Sequence, residues 1–218
     1  MSEFLRPIMA TPLLIGKSDL VSIREELNAL SYSLRDNLKE GSLVSEEWDQ
    51  GIKSSNKEDF YKSGVTSFNS IEDLFHKPEW KNVSDFIFDF SKTMINTVNP
   101  NNKKMHIINM WTTIYPPGAF VPEHVHSNSY LSGVFYSKTP KNCGDIVFHD
   151  PSWVAKTMFM HTDMPTFPNV ETKHSISPEE GLMVIFPSWL PHRSLPNNST
   201  EDRIIVSFNI GFLDETDV

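Results

Sequence analysis

The sequence predicts an α+β fold, with a jelly-roll or related β-sandwich core and N-terminal helices packed on one outer face of the sheet. Three observations carry this. Apolar residues recur at helical spacing up to about residue 104 and alternate at strand spacing beyond it. Breaks at PPG, KTPKN, DPS, SPEEG and PNNST cut the second part into short strands at the spacing of a barrel or sandwich. The length of 218 residues, 39% hydrophobic and 11% aromatic, suits one domain (1–218) with a real core rather than a disordered chain.

The elements follow in order. Leu20, Ile23, Leu27, Leu30, Leu34 and Leu38 line one side of a helix that Ser18 or Asp19 can cap. The stretch from Gly41 to Phe68 is polar and weakly periodic, an extended loop that could serve as a lid over 41–68. Ser70, Glu72 and Asp73 mark the start of a short helix that Pro78 limits. Val83, Phe86, Ile87, Phe90, Met94 and Val98 trace a third helical stripe before the turn NPNN. Residues 1–104 are thus a mainly helical elaboration, and these stripes are packing faces. The segments MHIINMWTTIY, YLSGVFY, DIVFHD, LMVIFP and RIIVSFNIGF are the strands of a core over 105–212, with 213–218 as a tail.

Composition narrows the function. With 19 basic and 28 acidic side chains the formal charge is −9, which speaks against a nucleic-acid surface. A single cysteine, Cys143, excludes a disulfide framework and thiolate-rich metal sites. The run IMATPLLIG lacks the form of a signal peptide, and no stretch approaches the roughly 20 apolar residues of a membrane span. A cytoplasmic protein with no membrane and no nucleic-acid partner is the expectation.

The strongest chemical signal is YPPGAFVPEHVH. Residues two apart in a strand share a face, so His124 and His126 project together as a pair of metal ligands. His192, in GLMVIFPSWLPHRS, supplies a third from a distant segment. Gly118 stands six residues before His124, and Gly181 and Pro187 precede His192, spacings that match the GX5HXH and GX5PX4H motifs of cupin-type barrels. The glutamate that cupins usually add is missing from SNSYLSG. His76, His106, His161 and His174 lack paired spacing and read as surface or packing residues, while His149, beside Asp150, stays a weaker substrate-contact candidate.

Arg203 opens the strand RIIVSFNI. Arg203, Ile205, Ser207 and Asn209 share one face, and Ile204, Val206, Phe208 and Ile210 the other. An arginine inside a barrel is a costly buried charge unless an anion meets it, and its planar fork suits a carboxylate. The alternative is a surface pair with Glu201 or Asp202.

Together these residues resemble the 2-oxoglutarate and Fe(II)-dependent oxygenases. More closely they are similar to a group of small members found in bacteria and marine phages. That group's pattern of tryptophan, glycine, HxH, SGVYY, FPSWLPH and RISISFN is met by Trp111, Gly118, HVHSNSYLSGVFY, FPSWLPHRS and RIIVSFN. The resemblance covers about residues 105–212. It implies a double-stranded β-helix with the metal at one mouth, binding Fe(II), the cosubstrate 2-oxoglutarate and O2. It makes His124 and His192 iron ligands and gives Arg203 the distal carboxylate of 2-oxoglutarate, with Ser207 along the same face. Tyr115 would reach the cosubstrate as in prolyl-hydroxylase-like relatives. Asn109, Thr113 and Ser132 would line the pocket, and Trp111, His149 and Asp150 would meet substrate. Ordinary barrel packing is the other reading of Tyr115 and Trp111.

One residue departs from the family pattern. His126 stands where the facial triad has its carboxylate, so the site resembles the three-histidine iron sites of some cupin dioxygenases. Glu123 is a poor substitute because, as a strand neighbour, it faces the other way unless a bulge re-aims it. A halogenase would need a small residue there, and His126 is bulky. The function implied is a hydroxylase-type oxidation coupled to decarboxylation of 2-oxoglutarate to succinate and CO2. The rivals are a three-histidine cupin oxygenase or isomerase that does not use 2-oxoglutarate, and a non-catalytic jelly-roll binding or phage structural module. The substrate is expected to be a small molecule or peptide, and a twofold homodimer is the default assembly.

Overall fold

The computed structural model describes residues 11–36, 65–68, 73–98, 104–152 and 172–213. Leu38, residues 41–64 of the expected lid, Ser70, Glu72, His161 and the tail beyond Leu213 lie outside the described residues. The elements are β1 (Leu14–Lys17), α1 (Val21–Asp36), β2 (Val65–Thr66), 3-10 turns at Leu74–His76 and Pro78–Trp80, and α2 (Lys81–Asn96). Then come β3 (Lys104–Tyr115), β4 (Leu131–Lys138), β5 (Ile146–His149), β6 (Lys173–Ile176), β7 (Leu182–Pro187), β8 (His192–Ser194) and β9 (Arg203–Leu213).

Among the described residues, nine strands form two antiparallel sheets, a six-stranded one ordered β1-β7-β4-β9-β3-β2 and a three-stranded one ordered β6-β5-β8. The two share one interior core, built from Val134, Tyr136, Val184, Phe186 and Ile205 of the large sheet and Ile146 and Phe148 of the small one. The opposite face of the large sheet lies under the helices. There Leu27, Val83, Ile87 and Met94 pack with Phe135, Met183, Ile185, Ile204, Val206, Phe208 and Ile210. With both faces covered, β4, β7 and β9 are buried almost throughout, which explains their nearly continuous apolar runs.

The helices form as their spacing predicts, with small shifts at the ends. In α1 the inward residues are Ile23, Leu27 and Ser31, and the Ser31 hydroxyl meets that of Thr112 at 2.7 Å. Leu20 precedes the helix and is exposed; its N–H donates to the Ser18 hydroxyl. In α2, Ser84 and Ser91 are buried beside Val83, Ile87 and Met94, each hydroxyl donating to the carbonyl four residues back. Val98 falls beyond the helix and is exposed. The Asp73 side chain makes no cap hydrogen bond; its carboxylate accepts the Met110 N–H, and 3-10 turns follow it where the short helix was expected.

Two edge strands escape the helical reading of the first 104 residues. The run LIGK pairs with β7 as β1, and Val65–Thr66, at the end of the expected loop, pairs with β3 as β2. Neither is long enough to show alternation. β3 and β9 pair from Lys104↔Leu213 to Tyr115↔Arg203, with a bulge between Ile107 and Asn109. Beyond the bulge, Asn109, Trp111, Thr113 and Tyr115 share the inner face with their partners Asn209, Ser207, Ile205 and Arg203.

Gly133 of β4 lies opposite Phe208 of β9, and a Cβ there would stand 2.2 Å from the ring. Phe208 is fully buried and has nowhere to swing. Gly133→Ala is therefore expected to destabilise the fold by about 1–3 kcal/mol through overpacking. Urea unfolding measures this, and an unchanged midpoint would refute the packing account.

Candidate metal centre

His192 begins β8, buried to 5% exposure, with the Phe186 ring edge-on at 4.5 Å and Phe148 at 6.0 Å. His124 and His126 lie not on a regular strand but on an extended segment tied down at isolated points. His124 exchanges two backbone hydrogen bonds with His192, at 2.9 and 3.0 Å, and the His126 N–H donates to the Ser188 carbonyl at 2.9 Å. The extended backbone still alternates. Val125 is 54% exposed, while the two imidazoles on either side of it stand 5.1 Å apart by centroid.

The ligand nitrogens of His124, His126 and His192 all lie within 4.8 Å of one another. In His124 and His192, Nδ1 faces the carbonyls of Pro122 and Leu190, both at 2.9 Å. A carbonyl only accepts, so each Nδ1 carries the proton and each Nε2 offers a lone pair to the common centre. Nε2 of His126 stands 3.3 Å from Nε2 of His192. Two nitrogens each about 2.1 Å from one ion are roughly 3.0–3.4 Å apart, so this pair is spaced to share a divalent metal, and His124 is near enough to join it. Burial, reinforced by repulsion from His124, pushes the His126 imidazole down to about 4 and that of His192 to about 3; burial also lowers His124. All three are neutral at physiological pH, the form a metal requires.

Arg203 is 1% exposed, and the surface-pair alternative is wrong. Glu201 pairs with Lys138, and Asp202 stands 3.7 Å from Arg35 and accepts the Tyr32 hydroxyl. Arg203 turns inward because its place on β9 is an inner-face place. Its Nη1 donates to the carbonyls of Cys143 and Gly144 and its Nη2 to the Ser194 hydroxyl. The guanidinium lies over the Tyr115 ring at 4.3 Å. Its Nε is buried with no hydrogen-bond partner, and no carboxylate pairs with it among the described residues. Burial raises the Tyr115 phenol, so it stays neutral beside the arginine. A carboxylate is the group that would neutralise this buried charge.

The other expected residues divide. Ser207 pairs with Trp111 across the inner face. Trp111 stacks on His126 at 5.8 Å and takes the edge of Phe68 at 4.8 Å. Ser132 donates to the Asn209 carboxamide, which in turn donates to Asn109. Thr113 donates to Thr66 of β2, so its hydroxyl ties down the sheet edge. His149 is held by the Glu123 carboxylate, and Asp150 accepts the N–H and hydroxyl of Ser152. Neither joins the histidine cluster, and nor does Glu123. Asn209, Ser188, Phe148 and Phe186 surround the centre and were not singled out by the sequence. Asn209 was legible in principle, two residues beyond Ser207 on the same inward face.

Residues 109–209, which carry all three histidines and Arg203, match the model of a family described as "Putative 2OG-Fe(II) oxygenase". No curated protein matches the chain in sequence. Among solved structures the chain resembles a prolyl-4-hydroxylase from Pseudomonas putida, with 16% identity, a TM-score of 0.56, and 91% of this chain and 92% of that one covered. It also resembles a prolyl hydroxylase from Trichoplax adhaerens, in complex with a hypoxia-inducible-factor oxygen degradation domain peptide fragment (13% identity, TM-score 0.59, coverage 94% and 84%). A third likeness is to HygX from Streptomyces hygroscopicus, with nickel, 2-oxoglutarate and hygromycin B bound (12% identity, TM-score 0.53, coverage 92% and 83%). These likenesses establish the double-stranded β-helix.

The lowered imidazole values give the metal-free protein a definite pH dependence. Below the ordinary imidazole value near 6.5 the unfolded chain takes up protons that the folded site refuses, so stability falls as pH drops from about 6.5 toward 4. Denaturant unfolding across that window should show the slope, and His192→Ala should flatten it. An equal slope in the variant would refute the assignment.

Proposed function

We propose that this chain, whose residues 109–209 match the model of a 2OG-Fe(II) oxygenase family, is an Fe(II)- and 2-oxoglutarate-dependent oxygenase with three neutral histidines as its metal ligands. The Nε2 atoms of His124, His126 and His192 would hold the iron. Arg203 would hold the distal carboxylate of 2-oxoglutarate, with Ser207 on the same inner face. When bound, the metal, the keto acid and O2 supply an oxidation coupled to decarboxylation of 2-oxoglutarate to succinate and CO2.

The observation that carries this reading is a buried guanidinium with no carboxylate partner among the described residues, inside the same barrel as three converging imidazoles. A three-histidine cupin that does not use 2-oxoglutarate leaves the buried Arg203 charge without an anion, and a binding module leaves the converging imidazoles without a ligand. The protein's own part is positional. Backbone carbonyls set the tautomers of His124 and His192, Phe148 and Phe186 keep the His192 side of the site dry, and the neutral Tyr115 ring supports the guanidinium. Trp111 and Phe68 form an aromatic wall beside His126 that suits a peptide or small-molecule substrate.

None of the described helices is long and apolar enough to cross a membrane. A cytoplasmic setting agrees with a free buried Cys143 and with ferrous iron, both of which favour reducing conditions.

Anaerobic addition of Fe(II) and 2-oxoglutarate should give the weak visible charge-transfer band of the chelate. In Arg203→Met the 2-oxoglutarate needed for half-saturation should rise at least about 30-fold, because removing one partner of a buried charge pair costs about 2 kcal/mol or more. Absence of the band in the wild-type protein would sink the proposal.

A further inference from the structure

A row of short polar bonds crosses the inner face of the large sheet and ends on Asn109. The Ser129 hydroxyl donates to that of Ser188 at 2.8 Å, Ser188 lies 2.9 Å from the Ser132 hydroxyl, and Ser132 donates to Asn209 Oδ1 at 2.7 Å. Asn209 Nδ2 then donates to Asn109 Oδ1 at 2.8 Å. Ser132, Ser188 and Asn209 are buried, whereas Asn109 is only half-buried. Among the described residues Asn109 Nδ2 makes no hydrogen bond, so its two N–H groups remain open to a ligand.

The place of Asn109 on β3 sets these donors at the opposite end of the face from the arginine. Asn109, Trp111, Thr113 and Tyr115 follow one another along the inner face, opposite Asn209, Ser207, Ile205 and Arg203. Six residues of extended chain, about 20 Å, separate Asn109 from Tyr115, over whose ring the guanidinium lies. Trp111, one inward step from Asn109, stacks on His126 at 5.8 Å and takes the edge of Phe68, a residue 40% exposed. The histidines thus stand between an arginine end, suited to an anion, and an Asn109 end that is neutral, aromatic and partly open.

We propose that Asn109 and Trp111 are the substrate-recognition pair of this site, and that the substrate presents a neutral planar amide whose plane lies on the indole and whose carbonyl oxygen accepts from Asn109 Nδ2. The inference rests on the oxygenase reading and names the chemistry of its substrate. A carboxamide is uncharged, so its match is a neutral acceptor, while an anion is drawn to the metal and Arg203. Oδ1 of Asn109 and of Asn209 are both engaged, so what the row offers a ligand is donors, which suit a carbonyl better than a hydroxyl with a proton of its own to place. The row also holds the carboxamide in one orientation before a ligand arrives, which lowers the entropy cost of binding. A few fixed polar groups on an aromatic lining are what orients a small ligand in a pocket.

The test uses benzamide as the probe, with benzylamine, a cationic donor on the same ring, as its counterpart. Both are titrated into the full-length metal-free protein and followed by proton–nitrogen correlation spectra of the side-chain amides. Benzamide should shift the Asn109 Nδ2 signals. Asn109→Asp keeps an oxygen for Asn209 Nδ2 but loses the N–H groups, so it should weaken benzamide roughly 3–10-fold while benzylamine gains. A loosened structure would weaken both probes and could not reverse the preference between them. Trp111→Leu should weaken both. No benzamide binding, binding that leaves the Asn109 signals unmoved, or an unchanged preference in Asn109→Asp would overturn the inference; should the aspartate variant not fold, the wild-type Asn109 signals decide. With Co(II) and 2-oxoglutarate added, benzamide should stay bound and its ring protons should relax faster beside the paramagnetic ion. Displacement of benzamide by 2-oxoglutarate would put the cosubstrate at Asn109 and overturn the inference. A protein that takes up no Co(II) would instead overturn the oxygenase reading, with the metal-free titration still deciding whether Asn109 binds an amide.

Discussion

The two-residue alternation of β9 is the constraint on which the rest of the structure depends. One face of that strand, Ile204, Val206, Phe208 and Ile210, is fully buried under the helices. The other presents Arg203, Ile205, Ser207 and Asn209 to the barrel interior. Burying an aliphatic or phenyl side chain contributes about 1.5–3 kcal/mol, so the helix-covered face is a large gross stabilisation on a single strand. An unpaired guanidinium and an amide network on the opposite face are tolerable only because the same backbone carries that burial. A shift of register by one residue would exchange the faces, placing Arg203 under the helices and the aliphatics in the site. The long pairing of β3 with β9 excludes this.

The histidine centre follows from a second, smaller constraint. His124 and His192 are distant in sequence, and their reciprocal backbone hydrogen bonds close the sandwich at the point where the two imidazoles converge. The bonds that bring the ligands together are main-chain bonds, so they survive a change of side chain. That permits histidine in place of a carboxylate without a change of fold. What such a replacement demands is proton placement, and for His124 and His192 a backbone carbonyl two residues earlier supplies the acceptor on the side away from the common centre.

Much of this was written in the sequence, because strands of this length leave a period-two trace. The inward and outward residues of β9 can be read directly from RIIVSFNI, and the HxH pair keeps its same-face geometry though it sits on an extended loop rather than a ladder. Most of the short elements left no trace, β5 in DIVFHD being the exception. β1, β2, β6 and β8 have two to four residues each, too few to separate alternation from chance. Arg203 was legible as a buried cation from its face, but its carbonyl partners Cys143 and Gly144 come from a turn that no pattern connects to β9. The hydrogen-bonded row of Ser129, Ser188, Ser132, Asn209 and Asn109 was hidden for the same reason. Serine and asparagine are ordinary in strand ends and turns, and only the fold shows that Ser129, Ser132, Ser188 and Asn209 meet.

The net charge of the chain and the charge of its interior are separate quantities. Lys17–Glu179 and Lys81–Asp85 are exposed pairs, and Arg24–Glu180 and Lys138–Glu201 are only partly covered. Such pairs are screened within a Debye length of about 8 Å at physiological salt, so the formal −9 does little to neutralise the barrel. Inside, three neutral imidazoles would leave a bound divalent ion its full charge, and Arg203 adds another with no carboxylate beside it. In a weakly screened interior that excess favours anions strongly, and it is one charge larger than a two-histidine, one-carboxylate site would give. A dicarboxylate that spans the metal and the guanidinium meets both centres at once, where a monoanion could neutralise only one. The affinity for such a ligand would thus come from the arrangement of cations within the barrel, and a surface charge of either sign would change it little.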